Sequence, residues 1–309
     1  MRKRRLIKLP LFLLLMTSLL AGCGFPGLSS SSKDTVKIAA QNTTEQQIMA
    51  AVLQQMIAHY SDLKTTVISN LGSSTVTFQA QKRGDADLSA IRYNGTDFQT
   101  VLNQSGDTDP EKVDQMVRSA FKQKYQMTYF PSYGFADTYQ FMVTQEFAKK
   151  YHLETVSDLK KISGQLRVGI DQSWLNRKGD GYADFQKRYG FSFGHVYPMQ
   201  IGLVYDALAN GKMDAVLGYS TDGRIGSYHL KLLKDDLNYF PPYAASVVVN
   251  DAALKEHPEL SKILKRLAGK IPVKTMYELN YQVDDNLKEP ALVAKQFLEK
   301  HNYFERSDD

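Results

Sequence analysis

The sequence predicts an α/β protein: two doubly wound lobes around a ligand cleft, joined by two crossing segments. Three observations predict it. A strand–helix–strand–helix–strand order runs through residues 35–91. A second such run occupies residues 166–217. Two aromatic-rich segments, 129–143 and 237–246, lie between and after these runs. Alternation of this kind gives a mostly parallel sheet covered by helices.

Each element has a local reason. Thr35-Val36-Lys37-Ile38-Ala39-Ala40 reads as a strand. Residues 45–60 place Ile48, Ala51, Val52 and Met56 at helical spacing, with His59 next on that face. Residues 64–69 form a second strand. Gly72-Ser73-Ser74 is a helix start, residues 76–82 the helix, and residues 87–91 the third strand. In the second run, strands at 166–170, 195–198 and 213–217 alternate with helices at 182–189 and 201–210. Residues 140–143 and 247–249 read as strands that follow the crossings. Residues 252–298 read as helical and are expected to pack back on the first lobe. The first lobe is thus 35–135 with 242–304, and the second 136–241.

One pair of segments repeats. Gly84-Asp85-Ala86-Asp87 opens a buried strand ending at Tyr93. Gly211-Lys212-Met213-Asp214 opens another ending at Tyr219. Ligands of open α/β sheets sit outside the carboxyl ends of strands, so Tyr93 and Tyr219 are expected to face each other across the cleft.

The N-terminus reads as an export signal. Arg2, Lys3, Arg4, Arg5 and Lys8 precede a mostly apolar run at 9–20, too short for a comfortable membrane span. Leu20-Ala21-Gly22-Cys23 then resembles the lipobox of bacterial lipoproteins. That resemblance implies a signal peptide at 1–22, cleavage before Cys23, and a diacylglycerol on its thiol. Two acyl chains suffice for stable anchoring on the extracytoplasmic face of the cell membrane. Residues 23–34, rich in Gly, Ser and Pro, read as a flexible tether.

Removing the signal changes the bulk picture. The formal charge of +5 comes from 38 Lys and Arg against 33 Asp and Glu, and the five cations before residue 23 account for the excess. The rest is near neutral, which gives no argument for nucleic-acid binding. Cys23 is the one cysteine, so the lipidated chain has no thiol for a disulfide, a zinc site or a nucleophile. A 43% hydrophobic content over some 285 residues supports a packed core instead.

The six histidines (His59, His152, His195, His229, His257 and His301) show no metal spacing. No Gly-x-Ser-x-Gly elbow or phosphate loop occurs. Asn176-Arg177-Lys178-Gly179-Asp180-Gly181 has the flavour of a calcium loop but lacks its alternating oxygens and closing Glu. The sequence predicts neither catalysis nor a cofactor.

Tyrosine is abundant, at 18 residues against a single Trp. Tyr93, Tyr139, Tyr219 and Tyr243 fall where the chain should line the cleft. Converging π-faces suit a quaternary ammonium, which has no N–H to donate and is held by cation–π attraction. By spacing alone an ordinary aromatic core is the favoured reading.

Four stretches resemble the osmoprotectant-binding lipoproteins of ABC transporters. They are Ala90-Ile91-Arg92-Tyr93-Asn94-Gly95-Thr96, Tyr133-Gly134-Phe135-Ala136-Asp137-Thr138-Tyr139, residues 171–182 (from Asp171-Gln172-Ser173-Trp174 to Tyr182), and Leu217-Gly218-Tyr219-Ser220-Thr221-Asp222-Gly223. The resemblance runs from about Val36 to the C-terminus. It implies a type II periplasmic-binding-protein fold and a ligand such as glycine betaine, carnitine or choline. The implied cage is Tyr93, Tyr139, Tyr219 and Tyr243, with Gln41 and Thr96 at the polar end of the ligand. Membrane permease subunits are the implied partners, and a monomer is expected. Neutral Gln41 and Thr96 suit a carboxylate or a hydroxyl. Asp137 departs from the Asn expected there, and Leu175 from Met. Trp174 and Arg177 lie in the third of these stretches and are assigned no ligand contact, with closure or lobe packing as their expected role. A receptor for another solute, such as an amino acid, would need an Asp and an Arg poised in the cleft. A surface hydrolase would need a nucleophile with its base. A lipid-anchored chaperone or adhesion module would not respond to small molecules.

Overall fold

The computed structural model describes residues 34–104, 109–177, 181–241 and 243–305. The signal, Cys23 and nearly all of the tether lie outside them, as do Lys178, Gly179 and Asp180.

The chain begins β1 (Thr35–Gln41), α1 (Thr44–Tyr60), β2 (Lys64–Leu71), α2 (Ser74–Lys82), β3 (Leu88–Tyr93) and α3 (Asn94–Thr100). It continues through α4 (Pro110–Ala120), a π-helical turn (Phe121–Tyr125) and β4 (Met127–Tyr129). A crossing leads to β5 (Tyr139–Thr144), α5 (Gln145–Tyr151), β6 (Arg167–Asp171), α6 (Gln172–Leu175) and α7 (Tyr182–Tyr189). Then come β7 (His195–Met199), α8 (Ile201–Ala209), β8 (Ala215–Tyr219), α9 (Arg224–Ser227) and β9 (Leu230–Leu232). A second crossing returns to β10 (Ala245–Asn250), followed by α10 (Asp251–Glu256), α11 (Glu259–Lys265), α12 (Val273–Asp284) and α13 (Pro290–Lys300).

The local chemistry explains several boundaries. Ser73 Oγ accepts the Val76 N–H at 3.2 Å and starts α2. Asp109 accepts the Glu111 and Lys112 N–H groups ahead of Pro110, whose missing N–H costs nothing at a first helical position. Each such cap contributes about 1 kcal/mol. Gly190, at φ 67°, ends α7 in the left-handed region.

Two five-stranded sheets result, ordered β2-β1-β3-β10-β4 and β7-β6-β8-β5-β9. They are mixed, where the sequence suggested mostly parallel. β1 runs parallel to β3, and β6 parallel to both β7 and β8. β10 is antiparallel to β3 and β4, and β5 is antiparallel to β8 and β9. The cause is the crossings. A strand that arrives from the other sheet enters at the carboxyl ends of the parallel strands and must run against them. The crossings themselves meet in an antiparallel bridge, Ala136 to Ala244.

The repeated segments have one geometry. Gly84 and Gly211 take φ of 79° and 65°, open to glycine without strain. Asp87 Oδ2 accepts the Lys37 N–H at 2.7 Å, and Asp214 Oδ2 accepts the Arg167 N–H at 2.8 Å. Each Asp also donates its own N–H to that same neighbour's carbonyl at 2.9 Å. The motif therefore fastens the start of β3 to β1, and the start of β8 to β6. That fixes where each strand ends, at Tyr93 and Tyr219.

The cores lie beneath the sheets. Ile48, Met49, Val52, Leu53, Met56 and Ile57 of α1 are buried with Val293, Ala294, Phe297 and Leu298 of α13. Each of these side chains larger than Ala contributes roughly 1.5–3 kcal/mol. The C-terminal helices thus return to the first sheet. Behind the second sheet Trp174, fully buried, meets Tyr139, Phe141, Phe185 and Phe240 at 6.0–6.3 Å between ring centroids.

Candidate ligand site

Tyr219 ends β8 and Tyr139 begins β5, and the two are register partners. Side chains of directly paired residues share one face of a sheet. Their rings lie 5.1 Å apart at 45°. Tyr219 is further pinned by its backbone, since its N–H donates to the Tyr205 hydroxyl at 2.8 Å. Gly218 permits this, because a Cβ there would sit 2.8 Å from that same hydroxyl.

Tyr243 lies on the second crossing and is buried. Arg177 joins it to Tyr139, donating to the Tyr243 hydroxyl at 3.3 Å and the Tyr139 hydroxyl at 3.2 Å. The Arg177 Cζ sits 5.1 Å from the Tyr139 ring centroid, a cation–π distance. Tyr139 in turn donates to Asp171 Oδ2 at 2.9 Å. Asp171 and Arg177 are thus an Asp and an Arg placed at the site. Both engage hydroxyls of candidate cage tyrosines, so they brace the rings.

On the first sheet, Tyr93 ends β3 opposite Ala245 of β10. Its hydroxyl donates to Glu45 Oε1 at the start of α1. Gln41 ends β1, parallel to β3, and so lies at the same edge. Its Nε2 donates to Ser74 Oγ at 3.2 Å. Thr96 sits in the first turn of α3, half-buried. The next residue, Asp97, binds Arg92 with its guanidinium Nε 2.8 Å from Oδ2, both side chains 1% exposed. Arg92 Nη1 also donates to the Ser74 carbonyl at 3.2 Å. This buried pair holds the α3 turn, and with it Thr96, against β3.

The structure thus brings Tyr139, Tyr219 and Tyr243 together and sets Tyr93 within electrostatic reach of Tyr219. Gln41 and Thr96 fall on the same strand-end edge as Tyr93. Burial raises the Tyr93, Tyr139 and Tyr219 hydroxyls above the usual phenol range. The rings therefore stay neutral, with π-faces intact, across the physiological range. Sequence reasoning missed the bracing by Arg177 and Asp171, because the two are placed by tertiary packing rather than by spacing.

Two carboxyls stand beside this site. Burial raises Glu45 to about 7, against the pull of Tyr93, Thr221 and Asn280. Burial and the neighbouring Glu45 push Asp137 well above the usual carboxylate range. Glu45 Oε2 and Asp137 Oδ1 are both buried with no hydrogen-bond partner. Asp137 is half-exposed as a residue, but that oxygen is hidden.

Two sheets joined by two crossings, with aromatic side chains gathered at the edge where the parallel strands end and the crossings enter, define an extracytoplasmic solute-binding receptor fold. The sequence model of the substrate-binding domain of ABC-type glycine betaine transport systems matches residues 34–300. The chain belongs to that family, whose members are substrate-binding components of importers and not enzymes. It is 51% identical over 304 residues to the carnitine transport binding protein OpuCC of Listeria monocytogenes, covering 98% of this chain and 99% of the relative. A crystal structure of a glycine betaine/carnitine/choline ABC transporter protein superposes with TM-score 0.84 at 54% identity, covering 87% of this chain and all of the other. Apo YehZ from Escherichia coli, at TM-score 0.75 and 20% identity over 87% of this chain and 99% of that one, shares the fold. The fold is of the type II periplasmic-binding-protein kind.

Proposed function

We propose that this chain captures trimethylammonium osmolytes (glycine betaine, carnitine, choline) and hands them to the permease subunits of an ABC importer. The headgroup sits among Tyr93, Tyr139, Tyr219 and Tyr243, while Gln41 and Thr96 meet the carboxylate or hydroxyl end. The lobes that close on it are 35–135 with 242–304, and 136–241. The observation that carries this reading is the register-paired Tyr139 and Tyr219, 5.1 Å apart and fastened to Tyr243 through Arg177. Preset rings lose little freedom on binding, and each contributes roughly 0.5–1 kcal/mol when exposed and about 2 when desolvated. Four such contacts with apolar burial support micromolar binding, on the order of −8 kcal/mol.

The rival amino-acid receptor gains from the presence of Asp171 and Arg177. Both already serve the tyrosine hydroxyls, whereas an amino acid would need the Asp for its ammonium and the Arg for its carboxylate. A thermal-shift screen of the purified protein separates the readings. Glycine betaine, carnitine and choline are expected to raise the melting temperature, and proline and ectoine to do so less. A response confined to ordinary amino acids would reverse the assignment. Thr96→Asp is expected to lower glycine betaine and carnitine affinity more than choline affinity, because a carboxylate repels a carboxylate. Equal losses for all three in calorimetry would remove residue 96 from the polar end.

We further propose that the receptor acts as a monomer anchored by lipid at Cys23, on the outer face of the cell membrane. Cys23→Ser is expected to move it from the membrane fraction to the soluble fraction. Unchanged membrane association would refute the anchor.

A further inference from the structure

Glu45 and Asp137 come from two different elements that meet at Thr221. Glu45 opens α1 above the first sheet, and Asp137 lies on the first crossing, two residues before Tyr139. Tyr93 links them to the cage: its hydroxyl binds Glu45 and lies within the field of Asp137. Asp137 also acts on the Tyr219 and Tyr205 hydroxyls.

The surrounding elements supply no cation for this pair. The loop after β8 presents Thr221 and Asp222, and Asp222 takes Arg224 as its partner at 2.7 Å. Helix α12 presents Asn280, a neutral amide whose Nδ2 donates to the Thr221 carbonyl at 2.7 Å, and Asp284, bound by Thr44. Helix α8 presents Tyr205, with the Arg224 guanidinium 4.4 Å from its ring centroid. Arg177, across the cage, is held by Tyr139 and Tyr243. Among the described residues, neither Glu45 nor Asp137 has an ion-pair partner.

Two buried carboxyls without a counter-ion cannot both ionise at little cost. Their protons leave as a coupled pair. A quaternary ammonium entering the cage would bring a positive charge that is not already bound to a side chain there.

We propose that Glu45 and Asp137 are a charge-reading acidic pair, holding a proton in the unliganded receptor and releasing it when a net cation such as choline binds. The pair thereby ranks ligands by net charge as a function of pH. This inference rests on the cage reading above. Choline brings an uncompensated positive charge, which favours the ionised pair. Glycine betaine brings its own carboxylate, so the net field on the pair is smaller.

The sign follows from linkage. A ligand that releases protons binds more tightly as pH rises, by at most tenfold per pH unit for each proton released. Choline affinity is expected to increase severalfold from pH 6 to pH 8, with a smaller change for glycine betaine.

The test is calorimetry on the purified protein at pH 7, titrating choline and then glycine betaine in phosphate and in Tris. These buffers differ in ionisation heat, so the difference in observed heat counts protons. More protons released by choline than by glycine betaine is the expected result, and Asp137→Asn is expected to remove the excess. Equal counts for the two ligands in the unmodified protein, zero included, would overturn the pair's role while leaving the cage intact. Failure of both ligands to bind would overturn the cage reading itself, and this inference with it.

Discussion

Asp97→Ala is expected to destabilise the protein by about 3–5 kcal/mol. Arg92 and Asp97 are both 1% exposed, so removing the carboxylate leaves a guanidinium buried without its counter-ion. The Tyr129 hydroxyl, which also donates to Asp97, loses its acceptor. Phe78 and Phe121, 5.4 and 5.7 Å from the Arg92 Cζ, offer π-faces but no charge. Urea unfolding should show a lower midpoint with an unchanged slope. The double replacement Arg92→Met with Asp97→Leu should recover most of the loss, because no orphaned charge remains. A loss below about 1 kcal/mol for the single change would mean that water reaches the pair. The pair also anchors the turn bearing Thr96, so ligand affinity should fall with stability.

Tyr219→Ala is expected to weaken glycine betaine binding tenfold or more, the loss of one desolvated cation–π contact. The backbone of Tyr219 is held independently by the Tyr205 hydroxyl, so the strand should keep its place. Tyr219→Phe preserves the π-face and should retain most affinity. Titration calorimetry on both variants separates ring from hydroxyl. Unchanged affinity for the alanine variant would remove Tyr219 from the cage.

The sequence shows some of this architecture clearly. Gly84 with Asp87, and Gly211 with Asp214, mark strand starts because a left-handed turn and a backbone-binding carboxylate are local requirements. Counting forward from them reaches Tyr93 and Tyr219. Strand direction is not local. Nothing in Ala245–Asn250 distinguishes a parallel from an antiparallel strand, so the mixed sheets were not legible. Boundaries slipped for a related reason. The strand read at 213–217 lies at Ala215–Tyr219, because Asp214 is spent on fastening β6 rather than on extending the strand. The short β9 and the π-helical turn at Phe121–Tyr125 carry no periodic signal. Within the site, aromatic enrichment pointed to the tyrosines. Arg177, Asp171 and Glu45 became visible only when the fold brought them to hydroxyls distant in the chain.

The place of β10 between β3 and β4 sets an order on the making of the molecule. The strands of the second sheet come from one uninterrupted stretch, complete once Leu232 has been synthesised. The first sheet cannot close until Asn250 exists, although four of its five strands precede Thr138. Until then β3 and β4 present bare edges to each other and to any other chain nearby. A nascent or truncated chain that stops short of β10 therefore carries a finished half beside an open, aggregation-prone one.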